Sequence, residues 1–278
     1  MAGKINLIGK TLEEIKNELE NEGLAAYRAT QIYQWIYKRQ TSDFSRMTNL
    51  GLKLREQLAE KYDVSPLKTI KNRKSGDNSE KFLFELKDKE KIETVFLPVT
   101  GKRNSICLST QVGCRFNCGF CATGKQGFTR NLSCGEIINQ LLTVQLEKDV
   151  KITNVVFMGM GEPLDNYDNL VKTIALLNDG RGLNISCRRM TVSTCGLANK
   201  IKKLANSGFP VTLAISLHSG FNSLRDELVP VNKHYPIADL LEAADYYSEK
   251  TGRRVSYEYA LIKGVNDSKN QARKLADL

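Results

Sequence analysis

The chain has 278 residues, 41% hydrophobic and 26% charged, with a net charge of +10. That composition excludes intrinsic disorder, a collagen-like repeat and a coiled-coil rod, and the length suits one large domain or a large and a small one. The longest apolar stretches, such as 211–217, fall far short of the roughly 18–20 residues that cross a bilayer, so no membrane partner is expected.

Met1–Ile8 holds a lysine but no long apolar core and no small-residue cleavage site, which points to a cytoplasmic protein. Residues 1–65 read as helical. Thr11 and Glu14 form a capping box, with the hydroxyl accepting an N–H bond and the carboxylate reaching back, and Gly23 is a natural stop. A second helix is predicted over about Thr30–Lys38 and a third over Leu50–Tyr62, ending before Ser65-Pro66. From there the period shortens to that of strands, at Lys81–Leu86, Ile92–Leu97 and Ser105–Leu108, separated by polar turns. Lys68, Lys71, Arg73 and Lys74 make a basic cluster in what reads as a loop.

After Cys121 strands and helices alternate. Ser133 and Glu136 form a second capping box, opening a helix that runs to Glu147. Strands at Ile152–Met158, Arg189–Thr194, Val211–Leu217 and Val255–Ile262 alternate with helices at Tyr167–Asn178, Leu197–Ser207 and Ile237–Thr251, and a last helix begins near Ser268. Such units give a parallel sheet with right-handed crossovers, of five strands if the one near Ile106 is included. The sequence ends at Leu278 inside an amphipathic pattern that no glycine or proline closes, so its end reads as cut. The expected organisation is an N-terminal helical accessory domain (1–65), a small β connecting region (66–92) and an α/β core (93–278).

The basic excess is spread along the chain, +4 over residues 1–92 and +6 over residues 93–278. A basic surface favours polyanions, because each neutralised phosphate releases condensed counterions. An odd number of cysteines, seven, in a chain large enough to bury its own core argues against a disulfide framework. Three of them lie within eight residues, as Cys114-Arg-Phe-Asn-Cys118-Gly-Phe-Cys121. Three thiolates on a short loop can each bind one iron of a cubane cluster and leave the fourth iron open to a small chelating ligand. Gly113 and Gly119 are expected to allow the tight wrapping of that loop. A zinc site is the plain alternative. It needs a fourth ligand, for which Cys134 is a candidate, while His218 and His234 lie far along the chain.

The C-x3-C-x2-C spacing resembles that of the radical S-adenosylmethionine (radical SAM) superfamily. Its context is narrower. Cys107, the cysteine loop with Ala122-Thr-Gly-Lys125, Arg130-Asn-Leu132, Met158-Gly-Met-Gly-Glu-Pro-Leu164 and Ser216-Leu-His218 together resemble the RlmN/Cfr family of RNA methyltransferases. The resemblance implies a partial (β/α)6 TIM-like radical SAM barrel, its last strand missing here, with an N-terminal helical plus small β accessory domain. It implies a [4Fe–4S] cluster on Cys114, Cys118 and Cys121, and S-adenosylmethionine (SAM) held by Gly161, Glu162, Ser193, Ser216, Leu217 and His218. Gly161-Glu162 follows a predicted parallel strand, at the end where ligands of such barrels sit.

By the same resemblance Cys107 is a catalytic base and resolving thiol, working with a methyl-carrying cysteine expected beyond Leu278, and Glu93 is a proton acceptor. Taken alone, Cys107 reads as a small buried hydrophobe, and Glu93 as a surface glutamate paired with a lysine. The partners implied are 23S rRNA and tRNA, with flavodoxin or ferredoxin as electron donor, and the protein is expected to be a monomer. Methylation at carbon 2 of adenine is the leading expectation. Methylation at carbon 8, as in the Cfr type, and a non-catalytic zinc-stabilised RNA-binding module are the alternatives.

Overall fold

The computed structural model describes residues 4–99 and 103–278. In chain order the elements begin with β1 (Ile5–Asn6), α1 (Leu12–Glu20), α2 (Tyr27–Tyr37), α3 (Leu52–Lys61) and β2 (Tyr62–Asp63). Strands β3 (Lys68–Lys74), β4 (Glu80–Glu85), β5 (Lys91–Val99), β6 (Arg103–Cys107) and β7 (Gln111–Gly113) follow. Next come α4 (Ala122–Lys125), β8 (Phe128–Asn131), α5 (Cys134–Lys148), β9 (Asn154–Phe157) and α6 (Tyr167–Asn178). The chain closes with β10 (Met190–Thr194), α7 (Ala198–Ala205), β11 (Thr212–Ser216), α8 (Asn222–Leu228), α9 (Ile237–Thr251), β12 (Val255–Glu258) and α10 (Lys269–Ala276). Two compact units result. One comprises Met1–Leu108, Leu132–Asn154 and Lys172–Ser186, and the other Ser109–Asn131, Val155–Val171 and Cys187–Leu278.

In the first unit both capping boxes form as the sequence predicts. Glu14 N donates to Thr11 Oγ1 at 3.2 Å and Thr11 N to Glu14 Oε2 at 2.7 Å; Ser133 and Glu136 repeat the pattern before α5. Ile15 and Leu19 of α1 and Ile32, Tyr33 and Ile36 of α2 are buried. Strands β3 to β6 form an antiparallel meander in sequence order. Period-two alternation buries Phe82, Phe84, Ile92, Thr94, Phe96 and Ile106 on one face. Helix α5 bonds to groups of that face: Thr94 Oγ1 donates to Gln140 Oε1 at 2.6 Å, and Lys148 Nζ pairs with Glu80 at 2.7 Å.

The basic segment 68–74, expected as a loop, is the edge strand β3. Its residues are almost all exposed, so it shows no apolar alternation. The strand near Ile106 is β6, and β5 pairs with it antiparallel, Ile106 opposite Phe96.

In the second unit β9, β10, β11 and β12 pair in parallel, in that order. Helices α7 and α9 pack together, tied by Lys202–Glu242 at 2.6 Å. A hairpin that the sequence did not reveal, β7–β8, brackets the cysteine loop, with a bulge between Val112 and Gly113. The α/β class expected from the sequence is the one observed, with both antiparallel and parallel strand pairs. Among the described residues no helix is long and apolar enough to cross a membrane.

Candidate radical SAM site

The cysteine loop is fixed by its ends. Gly113 has φ +73°, and a Cβ there would lie 1.8 Å from Gly127 O, so no side chain fits. Cys114 N donates to that same Gly127 carbonyl at 2.8 Å. Within the loop Asn117 is left-handed, at φ 47°, a conformation asparagine tolerates. Arg115 lies over the Phe128 ring, 3.9 Å from its centroid, and its Nε pairs with Asp165 Oδ2 at 2.9 Å. Gln111 Nε2 donates to Asp165 Oδ2 at 2.7 Å and to Asn131 Oδ1 at 2.8 Å, so one carboxylate ties the loop to the β7–β8 hairpin.

Cys114, Cys118 and Cys121 are half-buried free thiols. Burial, reinforced by neighbouring thiols and Glu162, pushes Cys114 up to about 11 and Cys118 up to about 12. Among the described residues no three His, Cys, Asp or Glu side chains gather as a single metal ion requires. A cubane asks for something different, one iron to each thiolate.

The remaining candidates lie at the carboxyl ends of three adjacent parallel strands. Gly161, after β9, has φ +99°, and a Cβ there would meet Gln111 Cβ at 2.5 Å. Glu162 is buried; its carboxylate accepts from Leu164 N at 2.9 Å and from Cys195 N at 2.7 Å. Burial raises its pKa, and those two backbone N–H groups pull it back. Ser193 in β10 stands opposite Ala214, and Ser216 ends β11 opposite Glu258. Leu217 N donates to Glu258 O at 3.0 Å.

His218 is buried in a left-handed conformation, φ 57°. Its Nδ1 accepts from Ala260 N at 3.0 Å, which puts the imidazole proton on Nε2. Burial, with Arg225 adding repulsion, pushes its pKa down to about 4. The Phe120 ring meets the imidazole edge-on, with centroids 4.5 Å apart.

Two buried residues that sequence reasoning missed hold this edge together. Arg225 donates to Leu217 O (3.1 Å), Ser216 O (3.0 Å), Cys195 O (2.7 Å) and Asn232 Oδ1 (2.8 Å). Asn266 donates to His218 O at 2.9 Å and to Ala260 O at 2.8 Å, and accepts from Ile262 N at 2.7 Å.

Glu93 and Cys107 belong to the first unit. Glu93 in β5 pairs with Lys81 at 2.9 Å, both side chains about half exposed, which is the plain arrangement foreseen for it. Cys107 ends β6 opposite Val95, half-buried rather than in the core. Val95 and Glu93 are two apart on β5, so Cys107 and Glu93 share one face of the meander. Cys134, the candidate fourth zinc ligand, is buried at the start of α5 and accepts from Thr173 Oγ1 at 3.4 Å. Cys187 and Cys195 are buried.

Known proteins share this chain's sequence and fold over nearly its whole length. The Radical SAM superfamily model matches residues 108–276, and the model of the ribosomal RNA large subunit methyltransferase N-terminal domain matches residues 5–64. The probable dual-specificity RNA methyltransferase RlmN of Geobacillus kaustophilus (strain HTA426) is 48% identical over 271 residues, covering 96% of this chain and 74% of its own length. The protein of the same name from Carboxydothermus hydrogenoformans is 50% identical over 267 residues, 96% of this chain and 78% of its own. The crystal structure of a radical SAM methyltransferase from Sphaerobacter thermophilus superimposes with a TM-score of 0.93 at 42% identity, covering 98% of this chain and 81% of that one. The chain therefore belongs to the radical SAM superfamily and, within it, to the RlmN family of RNA methyltransferases.

Proposed function

We propose that this chain is part of an enzyme that methylates carbon 2 of adenine in 23S rRNA and in tRNA near the anticodon, by way of a methyl-carrying cysteine expected beyond Leu278 and a transient disulfide with Cys107. The observation that carries the reading is the C-x3-C-x2-C loop, whose three free thiols stand in one unit with Gly161, Glu162 and the strand-end residues of β10 and β11. It supports the reading because the chain matches relatives named dual-specificity RNA methyltransferases over 96% of its length.

The family's [4Fe–4S] cluster and SAM fit the residues present: three free thiols serve three irons and leave the fourth iron for SAM. When bound, they supply reductive SAM cleavage and radical hydrogen abstraction, chemistry that the weakly acidic adenine C–H bond requires. Cys114, Cys118 and Cys121 hold the irons. Gly161 leaves room for close backbone approach, and Glu162, Ser193, Ser216, Leu217 and His218 hold SAM. Cys107 takes the proton from the methylated carbon and closes the disulfide that frees the product, while Glu93 accepts a proton. Flavodoxin or ferredoxin delivers the electron, and the protein works as a cytoplasmic monomer.

Nucleoside mass spectrometry of rRNA and tRNA fragments tests this, after anaerobic incubation with SAM, a reductant and the chain extended by the residues expected beyond Leu278. 2-Methyladenosine is expected. 8-Methyladenosine would move the chain to the Cfr type, and stoichiometric zinc without iron would leave only an RNA-binding module.

A further inference from the structure

The register of the antiparallel meander places a basic track beside Cys107. Residues paired directly across antiparallel strands project from the same face. Arg73 of β3 stands opposite Lys81 of β4, Lys81 opposite Val95 of β5, and Val95 opposite Cys107 of β6. One rung of the sheet thus runs Arg73, Lys81, Val95, Cys107. At ~4.8 Å per strand it spans roughly 14 Å. The neighbouring rung runs Lys71, Leu83, Glu93. The opposite face carries Phe82, Phe84 and Phe96 and is buried. This face is instead exposed at Lys71, Arg73 and Lys81 and half-buried at Leu83, Val95 and Cys107. Lys81 is tied to Glu93, but Arg73 and Lys71 have no ion-pair partner among the described residues.

We infer that this outward face of the meander is a docking track for the RNA backbone, with Arg73 and Lys71 as phosphate contacts that lead the strand toward Cys107. The inference rests on the RNA methyltransferase reading and adds to it the surface that presents the base. A charged edge strand also blocks pairing with other chains, and that role is met by charge on either face. Of the three cations of β3 without an ion-pair partner among the described residues, Lys71 and Arg73 lie on the face that carries Cys107 and Glu93, and Lys74 on the other. Half-exposed Leu83 and Val95 between them offer apolar floor for a splayed base, the way single-stranded RNA is usually gripped.

The test is binding of a tRNA-derived stem-loop by fluorescence anisotropy across a salt series. It compares the unaltered chain, the double variant Lys71→Ala/Arg73→Ala, and a control, Lys250→Ala/Lys263→Ala, that removes two exposed cations from the other unit. Circular dichroism confirms that each is folded. The track variant is expected to bind about tenfold more weakly near 0.15 M salt, and to lower the slope of log K against log salt by about 1.4–1.8, the loss of two phosphate contacts. The control should match the unaltered chain. If the track variant matches the control while the unaltered chain binds RNA, the docking track is wrong and the RNA reading stands. If the unaltered chain binds no RNA at all, the RNA reading itself fails.

Discussion

Glu162 and Arg225 are joined through the two ends of a single residue. Cys195 N donates to Glu162 Oε2 at 2.7 Å, and Cys195 O accepts from Arg225 Nη2 at 2.7 Å. Both charges are buried, at 3% and 0% exposure, and a buried charge is tolerated only when its hydrogen-bonding capacity is met. Backbone groups meet most of it here. The turn after β10 is thereby clamped between an acid that follows β9 and a base whose other bonds hold the end of β11.

Removing the base should open that clamp. Arg225→Met fills much the same space but removes the guanidinium donor from the Cys195 and Ser216 carbonyls and from Asn232 Oδ1, while Leu217 O keeps Ser219 N. A loss of about 3 kcal/mol or more is expected in urea unfolding. Arg225→Lys keeps the charge without the planar fork, and should fall between the two. An unchanged urea midpoint for Arg225→Met would show that the clamp carries no stability.

Gly161 and Gly127 separate crowding from backbone strain. Both are left-handed, at φ +99° and +76°, but a Cβ at 127 meets open space while one at 161 strikes Gln111. Gly127→Ala should cost about 1–2 kcal/mol, the left-handed penalty alone. Gly161→Ala adds overpacking of about 1–3 kcal/mol against the residue that anchors Asp165 and the cysteine loop. Equal melting temperatures for the two variants would refute the close approach.

What was legible in the sequence follows physical range. The Thr11/Glu14 and Ser133/Glu136 boxes are local chemistry, and both form where read. Helices at Tyr167–Asn178 and Ile237–Thr251 end where the apolar period ends. Strand β3 was missed because an edge strand wet on nearly every side chain has no alternation to show; only its pairing with β4 makes it a strand. Arg225, Asn266 and the Gln111–Asp165 link were missed for another reason. Each is a polar residue outside any periodic run, and its partners lie far along the chain or in irregular backbone. The cysteine loop was legible from spacing, but its left-handed turn at Asn117 was not, because how the loop turns is set by contacts the spacing does not encode.

His218 should make stability pH-dependent in acid. Its imidazole titrates near 4 in the folded protein against 6.5 when free, so the unfolded chain binds the proton more readily between those values. Stability is then full above about 6.5, falls as pH drops through that window, and is lost below 4, by on the order of 2 kcal/mol. His218→Asn keeps an acceptor for Ala260 N and tolerates the left-handed backbone. Its urea midpoint should change less between pH 7 and pH 5 than that of the unaltered chain. An equal pH slope in both proteins would assign the acid sensitivity elsewhere.

Cluster content separates the roles of the cysteines. Anaerobic reconstitution with iron and sulfide should give a brown protein with about four of each per chain, as a [4Fe–4S] cubane requires. Cys114→Ala, Cys118→Ala and Cys121→Ala should each abolish the visible absorbance, because a cubane held by two thiolates exposes two irons to exchange. Cys134→Ala should leave it intact. That thiol is 4% exposed, and Thr173 already donates to it, so it is built into the core and is not offered to a metal. Electron paramagnetic resonance of the reduced protein should then change on adding SAM, because three protein ligands leave one iron open. Stoichiometric zinc in the protein as purified, with no iron-dependent absorbance after reconstitution, would overturn the assignment. A spectrum indifferent to SAM would show that the fourth iron is already occupied by a side chain.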